Sequence, residues 1–339
     1  MLDGLDPAGQ PFRKCLHILQ KLCASKMMLP SSYEVSGKLS FNSTDAIAYG
    51  GFCDVYDGSL DLERVCVKRL RVSAAGDRAL TKRSLCKEAV VWKHLDHPNI
   101  VPFKGVTFDP LQLVSKWIPG GELKEYVVRG SSQANLISLL LGVAKGLGYL
   151  HSRNVIHGDL KGANILIDAN DNPRIVDFGL ATVARDSDSL ASTSGQMGTT
   201  ARFTAPEILK GLGRPSKASD VFAFGMVVIE AFTGRVPFSG CIGFKAMTNI
   251  LAGIHPERPI HPGLTDQLWT LTQQCWEEEP YDRPSIDSVI EQLSVPSSIS
   301  RWVSYSSMTT EMLARYSTRL VRNQLSRTGL KFRKRASPR

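Results

Sequence analysis

One segment of the sequence constrains the fold more than any other. It begins at Val155 and reads VIHGDLKGANILIDANDNPRIVDFG. Two short apolar runs, 165–167 and 174–176, flank a turn-forming stretch, and this pattern predicts a β-hairpin. Because a hairpin brings its two outer ends together, we expect Asn164 and Asp177 to lie side by side.

The polar side chains around this hairpin suggest a phosphate-bound cation. The segment contributes four of them: Asp159, Lys161, Asn164 and Asp177. Carboxylate and amide oxygens, without Cys or His ligands, suit a hard cation such as Mg²⁺ held on phosphate. A single Asp in a turn is usually solvated, but four converging polar residues are not explained in that way.

The net charge of +9 lies entirely near the C-terminal end of the chain. Residues 300–339 contain ten basic residues and one acidic residue, whereas residues 1–299 contain 31 of each kind. Because residues 1–299 carry no net charge, the sequence argues against a nucleic-acid-binding protein, and no nucleic-acid partner is expected.

Other features of the sequence exclude further classes of protein. The longest apolar run, 136–144, is too short for a membrane helix of about 18–20 residues, and no secretory signal is visible at the N-terminus. The seven cysteines are scattered and form no C-x-x-C pair. We therefore expect reduced thiols and no zinc site, in a protein of the cytoplasm and, as a second option, the nucleus.

Composition and periodicity divide the chain into four parts. We expect a leader with one helix near residues 12–28, then a strand-rich region with one helix near residues 81–95, then a mostly helical region, and finally a basic tail. The predicted boundaries are 1–40, 41–118, 119–294 and 295–339.

From about Phe41 to Leu293 the sequence resembles the eukaryotic protein kinases. HGDLKGAN stands at the place of H-R-D-L-x-x-x-N, and D-F-G follows it at Asp177. A-P-E begins at Ala205, and V-C-V-K, ending at Lys68, stands at the place of V-A-I-K. The resemblance implies a bilobal α+β fold, with a small β-rich lobe at 41–118 and a larger, mainly helical lobe at 119–294.

The resemblance also implies a reaction and its residues. The chain would transfer the γ-phosphate of ATP to a protein hydroxyl, with Mg²⁺. Asp159 would act as the catalytic base, and Lys161 would neutralise charge on the transferred phosphate. Asn164 and Asp177 would hold Mg²⁺, and His157 would brace the loop.

A lysine on a strand is usually exposed, but the pattern around Lys68 differs. Strand alternation puts Cys66 and Lys68 on one face. In the helix near residues 81–95, Glu88 falls on an apolar stripe with Leu85, Trp92 and Leu95. A carboxylate there needs a partner, and the resemblance implies that Lys68 is that partner.

The nucleotide pocket is also implied by the resemblance. Ile47 and Val55 would cover the adenine, Cys66 would touch it, and Ser115 would close the back of the pocket. Backbone groups of the following segment would bond the adenine edge. The implied ATP contacts are Ile47, Gly50, Val55, Cys66, Lys68, Ser115, Lys116, Trp117 and Ile118.

Motifs further along the chain refine the resemblance. Asp220 would brace the catalytic loop, and Arg283 would pair with Glu207. The form C-W-x-x-x-P-x-x-R-P, which begins at Cys275, is typical of the tyrosine-kinase-like group. Lys161 favours Ser/Thr substrates. The sequence also resembles single-domain kinases of mushroom-type fungi.

Two departures from the family pattern leave a second function open. Ala48 and Cys53 replace two glycines of the phosphate-binding loop, which would stiffen it. Gly158 replaces the Arg that normally receives an activation-loop phosphate, so we expect activity without such phosphorylation. The alternative is a pseudokinase, which would serve as a nucleotide-binding or scaffold module.

The tail raises a separate hypothesis. Met308, Met312, Leu313, Tyr316 and Leu320 fall near one face of a basic amphipathic helix. Such a helix could dock on the kinase, on an acidic partner or on an anionic membrane surface. The basic run 331–335 could direct nuclear import, and a disordered end is the simpler alternative. The sequence indicates no oligomeric state and no physiological substrate.

Overall fold

The structure is a computed structural model, and it describes part of the chain. The chain divides into two compact units, 1–293 and 294–339. The predicted tail helix and the hydroxyl residues between 187 and 194 lie outside the described residues. The described ranges are 5–6, 9–51, 53–72, 78–130, 133–179, 182–183 and 200–294.

The small lobe is built on an antiparallel sheet in the order β1-β3-β4-β6-β5, with β2 paired to β3. In β4, Val65 and Val67 are fully buried and pack with Val114. Strand alternation therefore turns Cys66 and Lys68 to the opposite face. The strands are β1 Leu39–Phe41, β2 Ala48–Tyr49, β3 Cys53–Leu60, β4 Glu63–Leu70, β5 Phe103–Phe108 and β6 Leu111–Lys116.

Two helices accompany this sheet, α1 at Gln10–Lys26 and α2 at Arg78–Lys93. In α2, Glu88 is buried on the same face as its apolar neighbours. Trp92 donates its indole N–H to the carbonyl of Val101 at 2.7 Å, which attaches α2 to the segment before β5. The first helix begins two residues earlier than the sequence predicts, and it packs against α2.

The large lobe is mainly helical. Its centre is α6, which is buried continuously from Ser219 to Phe232, as expected for a helix that is apolar all round. Ser216 caps its N-terminus through a capping box with Ser219. The elements are α3 Leu123–Val128, α4 Gln133–Ser152, β7 Val155–Ile156, β8 Ile165–Ile167, β9 Pro173–Ile175, β10 Thr182–Val183, α5 Pro206–Leu209, α6 Lys217–Thr233, α7 Gly243–Leu251, α8 Asp266–Cys275 and α9 Ile286–Ser294.

This arrangement confirms the predicted bilobal α+β fold. A β-rich lobe precedes a helical lobe, and the hairpin β8–β9 forms where the apolar runs predict it. Among the described helices, none combines the length and the apolar character needed to cross a bilayer.

Candidate active site

The hairpin β8–β9 brings its outer ends together. The N–H of Val176 donates to the carbonyl of Asn164 at 3.0 Å, so Asp177 follows directly beside Asn164. Asp177 has a left-handed backbone with φ 68°, and its next neighbour Phe178 is fully buried. The ring of Phe178 packs between Trp92 and His157, with centroids 5.4 and 5.5 Å away. This packing fixes the direction in which Asp177 leaves the hairpin.

Three charged side chains from different elements meet at one face of β4. Lys68 Nζ donates to Glu88 Oε1 at 3.1 Å and to Asp177 Oδ1 at 2.8 Å. Burial alone would raise the pKa of Asp177, but the adjacent charge of Lys68 outweighs it and lowers the pKa to about 2. The structure thus brings together Lys68, Glu88 and Asp177 between the two lobes.

The carboxyl group of Glu88 is only 3% exposed. Burial raises its pKa, and the charge of Lys68 opposes that effect. For Lys68, burial alone would lower the pKa, but the charges of Asp177 and Glu88 raise it above the usual range. Lys68 therefore remains an ammonium group at any physiological pH.

Asp159 lies in a buried loop beside Lys161 and Asn164. Lys161 Nζ donates to Asp159 Oδ2 at 2.7 Å and to Thr200 Oγ1 at 3.0 Å. The amide of Asn164 donates to the carbonyl and to Oδ2 of Asp159 at 2.8 and 3.2 Å. Within the described residues, the buried Asp159 Oδ1 has no hydrogen-bond partner. A buried carboxylate oxygen of this kind is suited to accept a proton from a ligand.

The loop that carries Asp159 is held by α6. Asp220 accepts the backbone N–H groups of His157 and Gly158, both at 2.9 Å. His157 accepts the N–H of Asp159 at Nδ1, so its Nε2 carries the proton and donates to the carbonyl of Val176. His157 and Asp220 therefore act as supports for the loop.

Glu230 is a second support from α6, which the sequence analysis did not identify. It is buried and accepts the N–H of Gly162 at 2.9 Å, at the far end of the same loop. Burial raises the pKa of Glu230 to about 7, although the hydrogen bond from Gly162 opposes the shift. A carboxylate in the apolar second half of α6 was the available signal, because such a group needs a partner.

This pKa predicts a pH dependence of stability. The unfolded chain releases the proton of Glu230 near pH 4.5 and the folded chain near pH 7, so folding loses stability as the pH rises between them. Glu230→Gln removes this loss, and its stability relative to the native chain should rise by on the order of 3 kcal/mol from pH 5 to pH 8. Melting temperatures across this range measure the effect. Glu291→Gln, at an exposed position of α9, is the control. A difference in melting temperature between Glu230→Gln and the native chain that does not change with pH would contradict the prediction.

Some of the predicted nucleotide-contacting residues are neighbours of Lys68 in the sheet, and Val55 is paired with Lys68 across β3 and β4. Ile47 donates its N–H to Val55 at 2.8 Å, and Gly50 donates to the carbonyl of Cys53 at 2.8 Å, which closes the loop between β2 and β3. Cys66 is paired with Ser115 across β4 and β6. Burial raises the pKa of the Cys66 thiol to about 11, so it remains protonated.

The segment after β6 leaves a backbone acceptor available. Lys116 donates its N–H to Pro102, and Trp117 donates to Arg64. In an antiparallel bonded pair, residue 102 would return an N–H to the carbonyl of Lys116, but a proline has none. Within the part of the chain that the structure describes, the carbonyl of Lys116 therefore lacks this strand partner, next to the buried Ile118.

These donors and acceptors fit a nucleotide with its cation. Mg²⁺ is commonly held by one or two carboxylates together with substrate phosphates. The Asp177 side chain is 38% exposed, and the amide nitrogen of Asn164 donates to Asp159, so its amide oxygen is the atom that could bind a cation. The Lys68 ammonium lies beside Asp177, where it can meet phosphate oxygens.

A further ion pair in the large lobe involves the glutamate of the A-P-E segment. Arg283 binds both carboxylate oxygens of Glu207 at 2.8 Å, as the sequence predicts. The Arg283 side chain is fully buried, and it also donates to the carbonyls of Ala218, Glu277 and Glu278. It therefore joins the A-P-E segment to the start of α6.

Known proteins are similar to this chain in sequence. The family model for protein tyrosine and serine/threonine kinases matches residues 41–293. The serine/threonine-protein kinase STY46 of Arabidopsis thaliana is 32% identical over 73% of this chain and 42% of its own length. Mitogen-activated protein kinase kinase kinase 10 of Homo sapiens is 32% identical over 78% of this chain and 29% of its own length.

The match extends to relatives of other substrate classes. The tyrosine-protein kinase Fer of Mus musculus is 30% identical over 74% of this chain and 30% of its own length. The chain thus spans less than half the length of these curated relatives. Because the family model covers most of the chain, and because the charged triad, the catalytic loop and the A-P-E ion pair all lie within it, the chain belongs to the eukaryotic protein kinase family.

Proposed function

We propose that this protein is a serine/threonine kinase, which transfers the γ-phosphate of ATP to a protein hydroxyl group. The observation that carries the proposal is the buried Asp159 Oδ1, which has no partner among the described residues and stands beside Lys161. The charged set of Lys68, Glu88 and Asp177 supports it from the nucleotide side. Relatives named as serine/threonine kinases support it independently.

Asp159 would receive the proton of the substrate hydroxyl. As that proton moves to Oδ1, the hydroxyl oxygen forms a bond to the γ-phosphorus, and the bond to the ADP oxygen breaks. Because Lys161 and Asn164 already hold Oδ2, the carboxylate is oriented before the substrate arrives. Orientation of this kind lowers the entropic part of the barrier.

Positive charge around the phosphates would come from both lobes. Lys68 would bind the phosphates on the nucleotide side, and Lys161 would neutralise charge on the transferred group. Asn164 and Asp177 would hold Mg²⁺, which supplies further positive charge to the phosphates when bound. We also infer the Ser/Thr preference from Lys161, which Thr200 holds in the catalytic loop.

A transfer assay tests this proposal. The purified chain is incubated with labelled ATP, Mg²⁺ and a generic basic protein, and labelled Ser/Thr residues are expected. The control is Asp159→Asn, with its fold verified by its melting temperature. Transfer no greater than that of the control would refute the proposal.

The second candidate is a pseudokinase, and one observation favours it. Cys53, the first residue of β3, stands where the family has a glycine, and glycine is the residue that lets the backbone approach a ligand most closely. A melting shift on addition of ATP and Mg²⁺ without any transfer would support this alternative. No shift and no transfer would leave a scaffold that does not bind nucleotide.

We further infer that activity does not require activation-loop phosphorylation. Gly158 adopts a left-handed backbone with φ 77°, which glycine tolerates easily, and it contributes no cation for a phosphate. Alanine at all five hydroxyl positions is therefore expected to leave the transfer rate within about twofold of the native rate, since a phosphate there would act by pairing with a cation that position 158 lacks. The positions are Ser187, Ser189, Ser192, Thr193 and Ser194.

Phosphatase treatment of the native protein is the matching control. Loss of transfer in the five-alanine variant, with ATP binding retained, would contradict the inference. Loss of both would instead indicate misfolding and would call for the single variants.

The basic tail suggests a role in location. We propose that residues 295–339 direct the kinase to an acidic partner or an anionic membrane surface, within the cytoplasm or the nucleus, because the whole net charge lies there. Replacing the ten basic residues with glutamine is expected to change the location of a tagged protein while the transfer rate is kept. Unchanged location would refute this role.

A further inference from the structure

Helix α1 lies outside the segment that matches the kinase family, yet its apolar face is part of the protein core. Phe12, Leu16 and Cys23 are at most 5% exposed, and they share one apolar cluster with residues of α2 such as Leu85 and Val90. The opposite face of α1 is exposed, with Leu22 at 53%. The helix is therefore amphipathic, and its buried face is directed at α2.

The two helices run antiparallel. The ring of Phe12 meets the ring of His94, just after the end of α2, with centroids 5.9 Å apart. Eight residues further along α1, the amide of Gln20 donates to the carbonyl of Lys87 at 3.3 Å. Contacts thus move back along α2 as α1 advances, and one of them lies next to Glu88.

The ends of α1 are fixed to other parts of the fold. Arg13 Nη2 donates to the carbonyl of Ser152, at the end of α4 in the large lobe, at 2.8 Å. After α1, the hydroxyl of Tyr33 lies 2.9 Å from His94 Nε2, and the carbonyl of Ser32 accepts from Lys93 Nζ at 2.7 Å. The segment therefore connects α2 to the large lobe and encloses the C-terminal end of α2.

The position of α2 decides whether Glu88 reaches Lys68. Their side chains are 3.1 Å apart, and a shift of α2 by one or two ångströms would break this contact. On the sheet side α2 is attached through Trp92 and Val101. On the outer side its neighbour is α1, so removing that packing frees one of the two surfaces that hold the helix.

We propose that α1 is a positioning element of the catalytic site. Its buried face holds α2 where Glu88 pairs with Lys68, so phosphate transfer depends on residues that lie outside the matched family segment. The residues that act are Phe12, Leu16 and Gln20, and they act through α2 rather than by touching substrate. This inference rests on the proposed kinase function.

The first test compares matched substitutions on the two faces of α1. Leu16→Ala removes apolar volume from the α2 interface, and Leu22→Ala makes the same chemical change on the exposed face. At saturating ATP, Leu16→Ala is expected to lower kcat by about tenfold or more, because small misplacements of catalytic groups are costly. Leu22→Ala should remain within about twofold of the native kcat.

A second measurement separates positioning from general loss of stability. Glu88→Gln should lower kcat in the native background but much less in the Leu16→Ala background, since the ion pair is already displaced there. The proposal would be overturned if Glu88→Gln lowered kcat by the same factor in both backgrounds, or if Leu16→Ala left kcat unchanged. If Leu16→Ala does not fold, Phe12→Leu, a smaller change on the same face, replaces it.

Hydrogen exchange distinguishes failure of this inference from failure of the proposed function. Leu16→Ala should increase amide exchange in α2 by about tenfold or more, with α6 unchanged, whether or not the protein transfers phosphate. If the native protein shows no transfer but this exchange difference appears, the proposed kinase function is wrong, whereas the inference that α1 positions α2 is supported. Unchanged exchange in α2 would overturn the inference by itself.

Discussion

Replacing Asp159 with asparagine is expected to lower the rate of phosphate transfer by a factor of about 10²–10⁴, the usual contribution of a positioned general base. Asparagine has the same shape as aspartate, so the contacts of Lys161 and Asn164 with this side chain can largely be kept. Its amide, however, cannot accept the proton that the proposed reaction delivers to Oδ1. The loss should therefore appear in kcat, with little change in ATP binding.

Steady-state transfer and an ATP melting shift measure the two effects separately. Asp171→Asn is a matched control in the tip of the β8–β9 hairpin, where an exposed residue has φ 61°, a conformation that asparagine adopts readily. This control should retain the native rate. An Asp159→Asn variant within a few-fold of the native rate would show that the base lies elsewhere.

The largest effect on stability is expected for Arg283→Met. The variant leaves Glu207 without its partner and removes the donor for three backbone carbonyls. Breaking a buried pair by removing one member typically costs about 3–5 kcal/mol. In a protein of this size that cost corresponds to a melting temperature lower by about 10 °C.

Arg258→Met is the matched control for this prediction. Arg258 also pairs with a carboxylate, Asp266, but the side chains are 40% and 92% exposed. Exposed pairs usually contribute about 0–1 kcal/mol, so this variant should melt within a few degrees of the native protein. Equal melting temperatures for the two variants would show that burial does not strengthen the Arg283–Glu207 interaction.

Local periodicity explains why much of the site could be predicted from the sequence. The alternation in β4 and the apolar stripe of α2 depend on neighbouring residues alone, and they single out Lys68 and Glu88. That these two residues pair was implied by the resemblance to the protein kinases. The hairpin likewise depends on a short turn between two apolar runs. Asn164 and Asp177 follow from it, because the ends of a hairpin must meet.

The partners of α1 and Glu230 could not be predicted in the same way. An apolar stripe with Phe12 and Leu16 shows that a face is buried, but it does not show which element covers it. A carboxylate at position 230 in an apolar helix indicates a missing partner. The identity of that partner, the N–H of Gly162, depends on the path of a loop almost 70 residues away in the sequence.

The two carboxylates of α6 have a mechanical consequence. Asp220 and Glu230 are ten residues apart, which is about 15 Å along a helix. They accept backbone N–H groups from Gly158 and Gly162, at the two ends of the catalytic loop. The helix is therefore a rigid support to which both ends of the loop are attached. Any displacement of α6 would therefore carry Asp159 with it, whereas Lys68 is held by the sheet of the small lobe.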